Sequence, residues 1–150
     1  MERCFVNYGN AGRPLKIEAS YRRKEIPVEE TDTIDGIKVY RIEPLCLMKA
    51  AAYAGRDKIR DLYDLSFIFN NYYELLSPQA VAVLRNAVEH KGIEQFDYVV
   101  RNQPDELIDS DKLAVDFLLM YDKLGLMIDE SEQELLAGDH ESDDEDDLEL

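Results

Sequence analysis

Acidic and basic residues are concentrated in the segment LMKAAAYAGRDKIRDLYDL, residues 47–65. Asp61 and Asp64 are three positions apart, so that on a helix both carboxylates project from the same side. Lys49 precedes them in an apolar stretch, and the arginines of the segment are Arg56 and Arg60. Two interpretations fit this spacing. The charges form exposed salt bridges, which stabilise a protein little, or they form one wall of a phosphate-binding site.

A second group of candidate residues lies in LKIEASYRR, residues 15–23. Glu18 lies within the alternation of apolar and polar residues that predicts a half-buried strand. Because Mg²⁺ prefers carboxylate oxygens, Glu18 is a candidate metal ligand or general base. Arg22 begins a basic cluster that could contact phosphate. The alternative for all of them is an ordinary exposed strand face.

The elements that carry these residues change in character near Pro44. Residues 1–42 alternate and contain turn residues, which predicts a short, partial β-sheet. From Pro44 the period becomes helical: one helix is predicted to end at Gly55, and a second is predicted over residues 58–73 with Asp57 as its N-cap. Further helices are predicted over residues 78–92, 93–100 and 110–124. The predicted fold is therefore α+β, with the sheet followed by a bundle of about five helices over residues 43–128.

The net charge of −16 is unevenly distributed. The last 22 residues, 129–150, contain 12 of the 33 acids and no Lys or Arg, so the rest of the chain is nearly balanced, at about −4. This acidic segment has little to bury and is expected to be a mostly disordered tail.

Cysteine usage and hydropathy indicate the cellular compartment in which the protein is expected. Cys4 and Cys46 are too few for a disulfide framework, and we expect both thiols to be buried or half-buried. No apolar stretch has the length of a signal sequence core or a membrane span. A reduced cytoplasmic protein without a membrane partner is expected.

The run from LKIEASYR through IKVYRIEPLCLMKAAAYAGRDKIRDLYDLSFI, about residues 14–70, resembles the C-terminal half of the AbiEii/AbiGii abortive-infection toxin family. Members of that family have a nucleotidyltransferase fold. The order of elements carries the resemblance: a strand with an acidic residue, a short strand, a helix with a lysine, a basic turn, and an Arg-Asp-x-x-Asp-Leu helix.

The resemblance implies a role for each matching residue. Glu18 would be the third carboxylate of a polymerase-β-like Mg²⁺ site, and Lys49 would reach the nucleotide phosphates. Asp61 and Asp64 would position that lysine or act in the site. Further phosphate contacts would come from Arg56 and Arg60. The implied reaction is nucleotidyl transfer from a nucleoside triphosphate with Mg²⁺, with RNA as a candidate acceptor, in a toxin–antitoxin or phage-defence system.

The chain departs from the family pattern at its start. The family begins with a Gly-Ser pair and an Asp-x-Asp on a strand, which hold the triphosphate and both metals. No Gly-Ser occurs in this sequence, and no Asp-x-Asp precedes Glu18. We therefore expect a truncated or split family member that is inactive alone and needs a partner chain for the missing carboxylates.

Two other functions stay open. The chain could be a non-catalytic interaction module that uses the acidic tail to bind a basic partner, or an α+β domain whose charged helix face has no special role. As protein partners, a cognate antitoxin or a second copy of the chain is expected, since an open sheet edge favours further pairing.

Overall fold

The computed structural model describes residues 1–10, 12 and 14–127, and the chain divides into two compact units, Met1–Val39 and Tyr40–Leu150. The acidic tail predicted over residues 129–150 lies outside the described residues.

The first unit opens with an antiparallel ribbon of β1 (Glu2–Val6) and β2 (Leu15–Ala19), in which Cys4 lies opposite Ile17. Every residue of both strands is exposed, so the prediction that β2 is half-buried is wrong. Alternation leads to burial only where a further layer covers one face of the strands. Cys4 is exposed for the same reason, contrary to expectation, whereas Cys46 in the second unit is buried.

A second ribbon consists of β3 (Thr31–Ile34) and β4 (Ile37–Tyr40), preceded by a 3₁₀ turn at Val28–Glu30. The strands are joined by Asp35 and Gly36, which have φ of 50° and 78°. Asp-Gly is suited to such a two-residue turn because both positions require a positive φ. Both strands lie within residues 1–42, for which strands and turns are predicted.

The second unit begins with α1 (Ile42–Gly55) and α2 (Ile59–Tyr72), followed by a 3₁₀ turn at Tyr73–Leu75. Gly55 is the last residue of α1, as predicted. The prediction that Asp57 caps α2 is wrong, because Lys58 occupies the N-cap position and makes no side-chain cap bond. The Asp57 carboxylate forms an ion pair with Lys91 instead.

The third helix, α3 (Pro78–Asn102), is interrupted at Gly92, which has φ 72° and ψ 173°. The helix predicted to end at Gly92 and the one predicted after it are thus the two halves of α3. Ser77 caps α3 by accepting a hydrogen bond from the Ala80 N–H at 3.2 Å. With α4 (Ser110–Lys123), the described residues form four helices rather than about five. None of these helices has the length and apolar character to cross a membrane.

The core of the second unit forms where α1 packs against α2 and α3, and α2 packs against α4. Fully buried Phe69 of α2 and Phe117 of α4 are among its largest side chains. The Phe117 ring stacks on Phe96 of α3 with centroids 4.0 Å apart. The charged residues of α1 and α2 are therefore carried by helices that pack against one another.

Gly92→Ala is expected to lower the free energy of unfolding by about 1–2 kcal/mol, because side chains are disfavoured at the backbone angles of this bend. A Cβ at this position would meet no atom within 4 Å, so the cost is conformational rather than steric. Urea denaturation followed by circular dichroism measures the change. Gly55→Ala, at a helical position without positive φ and with equal space, is the control and should not destabilise. An equally stable Gly92→Ala variant would show that α3 is not bent here.

Candidate phosphate-binding site

Lys49 and Asp64 join α1 to α2. Lys49 lies in the second half of α1 and Asp64 near the middle of α2, and the ammonium Nζ donates a hydrogen bond to Asp64 Oδ2 at 2.6 Å. About a third of each side chain is exposed, at 34% and 35%. The carboxylate thus holds the ammonium in one place while leaving it accessible to a ligand.

Arg56 and Asp61 form a bidentate pair at the start of α2. Arg56 Nε and Nη2 donate to the two carboxylate oxygens of Asp61 at 2.7 and 2.9 Å. The Asp61 side chain is only 3% exposed, while that of Arg56 is 59% exposed. The carboxylate lies in the first turn of α2, where the helix dipole favours negative charge. A bidentate pair fixes the plane of the guanidinium, so Arg56 is presented to solvent in a defined orientation.

The connection between α1 and α2, residues 56–58, is held by side chains from α3 and its C-cap. Lys91 Nζ lies 2.8 Å from Asp57 Oδ1, and this hydrogen bond holds the pKa of Asp57 below its ordinary value of 3.8. Gln103 bonds the connection at two points, accepting from the Ile59 N–H at 3.2 Å and donating to the Asp57 carbonyl at 2.6 Å. Gln103 therefore satisfies one of the N–H groups at the start of α2 that have no partner within the helix.

Arg60 extends the charged surface toward the segment between α3 and α4. Its Nε donates to Asp105 Oδ2 at 2.9 Å, and its side chain is largely exposed while that of Asp105 is mostly buried. Arg56 and Arg60 thus have the same arrangement, in which a mostly buried carboxylate binds an exposed guanidinium.

The remaining predicted residues, Glu18 and Arg22, belong to the first unit. Glu18 lies 2.7 Å from Arg3 and 3.0 Å from Lys16, and the hydrogen bond from Lys16 is the main reason that its pKa is lowered. Arg22 is exposed and lines an open depression of about 490 Å³.

The fit of the chain to Mg²⁺ can be judged from its carboxylates. Among residues 1–10, 12 and 14–127, no three His, Cys, Asp or Glu side chains come together to hold a metal ion. Glu18 has two cationic neighbours and would offer a metal one carboxylate. Within those ranges the side chains therefore supply no ready-made cluster of metal ligands.

The sequence interpretation missed three residues that support this site, namely Lys91, Gln103 and Asp105. Each contacts a partner 34 to 46 positions away. Helical periodicity and capping signals extend over a few residues only, so no local pattern indicates these contacts.

Two crystal structures resemble the chain. JHP933 from Helicobacter pylori is 24% identical with a TM-score of 0.55, and the match covers 91% of this chain and 63% of that protein. A candidate nucleotidyltransferase of H. pylori is 23% identical with the same TM-score, covering 92% and 63%. At such identities the likeness shows the fold alone. The chain spans less than two thirds of the length of either structure.

Comparison with curated proteins found no match. A protein-family model does match, over residues 3–142, and it is described as the nucleotidyl transferase AbiEii toxin of a type IV toxin–antitoxin system. The matched range covers most of both units and contains every candidate residue considered above. The chain therefore belongs to the AbiEii nucleotidyl transferase toxin family.

Proposed function

We propose that this chain supplies the phosphate-binding part of a nucleotidyltransferase, with Lys49 contacting the phosphates of a nucleoside triphosphate. The observation that carries the proposal is the 2.6 Å contact between Lys49 and Asp64, which fixes a partly exposed ammonium between two packed helices. This pair joins two helices, whereas the Lys112–Asp116 pair lies within α4. Arg56 in the connection and Arg60 in the first turn of α2 add further positive charge.

Lysine and arginine have different roles in this arrangement. Lys49 is a compact charge that can approach the oxygens between two phosphates, whereas the planar guanidinium of Arg56 suits bidentate contact. In nucleotidyl transfer, negative charge develops on the leaving pyrophosphate, and cations held in place before the reaction stabilise it without reorganising. Asp64 and Asp61 act as positioning residues for these cations.

Transfer itself requires groups beyond those described. Two-metal phosphoryl chemistry uses several carboxylates around the ions, and Glu18 would contribute one. We propose that Mg²⁺ binds together with carboxylates of another polypeptide segment that carries the Gly-Ser and Asp-x-Asp motifs, and that these 150 residues bind nucleotide without transferring it. The proposed acceptor is RNA, and the proposed protein partner is a cognate antitoxin.

Lys49→Ala is expected to weaken binding of a Mg²⁺–nucleoside triphosphate by about 10- to 100-fold, because it removes a charged hydrogen bond to phosphate worth about 1.5–3 kcal/mol. Isothermal titration calorimetry with MgATP, MgGTP, MgCTP and MgUTP measures this effect. Lys112→Ala is the matched control, since Lys112 also pairs with an aspartate, Asp116, but within α4. Equal binding by the wild type and Lys49→Ala would contradict the proposal.

The alternative is an interaction module in which the acidic segment binds a basic partner, and the charge distribution favours it, with 12 acids and no Lys or Arg in residues 129–150. Deletion of residues 139–150 separates the two functions. A nucleotide-binding site in the helical unit should keep its affinity after this deletion. A protein that binds a basic partner through the acidic segment should lose that partner after the deletion, and the binding of the full chain should weaken steeply as salt is added.

A further inference from the structure

We infer that Lys91 is a positioning residue for the phosphate-binding site, acting through Asp57 on the orientation of Arg56, and that the bend of α3 at Gly92 makes this possible. The inference rests on the proposed function and extends it to residues outside the Lys49–Asp64 segment. Lys91 itself is not proposed to contact the nucleotide.

Lys91 is enclosed between α1 and the connection that follows it. Its side chain is only 14% exposed, compared with 43% for Asp57. Its ammonium lies 2.8 Å from Asp57 Oδ1 and 5.8 Å from the centre of the buried Tyr53 ring on α1. A lysine with so little exposure and a fixed carboxylate partner is suited to holding the backbone beside it rather than to capturing a ligand.

The second half of α3 holds the same connection from beyond the bend. Gln103, at the C-cap of α3, donates a hydrogen bond to the Asp57 carbonyl and accepts one from the Ile59 N–H. In a straight helix, Lys91 and Gln103 would be about 18 Å apart along the axis. Both nevertheless bond to residues 57–59, and Gly92, at φ 72° and ψ 173°, supplies the change of direction between them.

Lys91 would affect a bound ligand through the position of Arg56. Arg56 directly precedes Asp57, and its guanidinium is fixed at the other end by Asp61. The backbone of the connection and the guanidinium are thus held by separate anchors. Loss of the Lys91 anchor should let the backbone of the connection move, which would loosen the bidentate Arg56–Asp61 pair and misplace the guanidinium relative to phosphate.

A double-mutant cycle tests whether Lys91 acts through Arg56. Lys91→Met keeps the aliphatic stem and removes the charge, and we expect it to weaken MgATP binding by about 3- to 10-fold. Lys91→Arg should restore binding to within about twofold. The double variant Lys91→Met/Arg56→Ala should bind no more weakly than Arg56→Ala alone, because residues that act through one another are not additive. Additive losses, or unchanged binding in Lys91→Met, would overturn the inference.

Amide hydrogen exchange without nucleotide tests the positioning separately from the proposed function. Lys91→Met should raise exchange at the Arg56 and Ile59 amides by at least about tenfold and leave that of Leu84, in the first half of α3, unchanged. Arg101→Met, which removes an exposed pair with Asp97 on the same helix, is the control. Unchanged exchange in Lys91→Met would overturn the inference. Raised exchange in a protein that binds no nucleotide would contradict the proposed function while supporting the role of Lys91 in holding the connection.

Discussion

Replacing Phe117 by alanine is expected to lower the free energy of unfolding by about 3–5 kcal/mol, the largest effect on stability foreseen for this chain. Phe117 is fully buried on α4, and its ring lies almost parallel to that of Phe96, at an angle of 7°. Truncation would remove the contact between α4 and the second half of α3 and leave a cavity, since neighbouring helices relax only partly.

Urea denaturation followed by circular dichroism measures the loss for Phe117→Ala. The control is Leu119→Ala on the same helix, whose side chain is exposed and whose loss should change the free energy by less than about 0.5 kcal/mol. Phe117→Leu should fall between the two. If Phe117→Ala cost no more than the control, α4 would not be packed against the core through this ring.

Arg56→Ala is expected to lower the free energy of unfolding by more than the loss of an exposed ion pair and by less than the loss of a fully buried one. It leaves the carboxylate of Asp61 buried without its partner, and breaking a buried pair from one side costs about 3–5 kcal/mol. The expected value is smaller because Arg56 is more than half exposed, so solvent already screens part of the interaction. An exposed arginine is thus predicted to stabilise the fold because the carboxylate that it pairs with is buried.

The cause of this loss can be isolated with a second substitution. Arg56→Ala/Asp61→Asn replaces the stranded charge by a neutral amide and should recover about 1 kcal/mol relative to Arg56→Ala. Arg101→Ala is the control, because Arg101 and Asp97 are both exposed and their pair should contribute almost nothing. An equal loss in the Arg56 and Arg101 variants, measured by urea denaturation, would show that Asp61 does not depend on Arg56.

Much of the helical part of the fold could be predicted because its boundaries are local signals. Ser77 caps α3, Gly92 bends it, and Gly125 at φ 70° follows the end of α4. The Asp35-Gly36 turn is equally local. The predictions that are wrong concern contacts between residues that are far apart in the sequence. The alternation in β2 does not reveal whether another layer covers the strand. The residues around Asp57 do not reveal that its carboxylate pairs with Lys91 and does not cap α2.

The candidate site was accessible to sequence reasoning only in part. Spacing placed Asp61 and Asp64 on one side of a helix but left a plain salt-bridged surface open, and the resemblance to the family assigned roles to them. The structure adds which base each acid holds, Arg56 for Asp61 and Lys49 for Asp64. That pairing depends on how α1 packs against α2, which the period of either helix does not specify.

The contrast between the two cysteines has a practical consequence. Burial raises the pKa of the Cys46 thiol to about 11, whereas Cys4 is exposed on β1. Because the thiolate is the reactive form, a maleimide dye at neutral pH should attach to Cys4 and spare Cys46. The natural sequence therefore carries its own selective attachment point in the first unit, and fluorescence from that point can follow the approach of a partner polypeptide without any engineered residue.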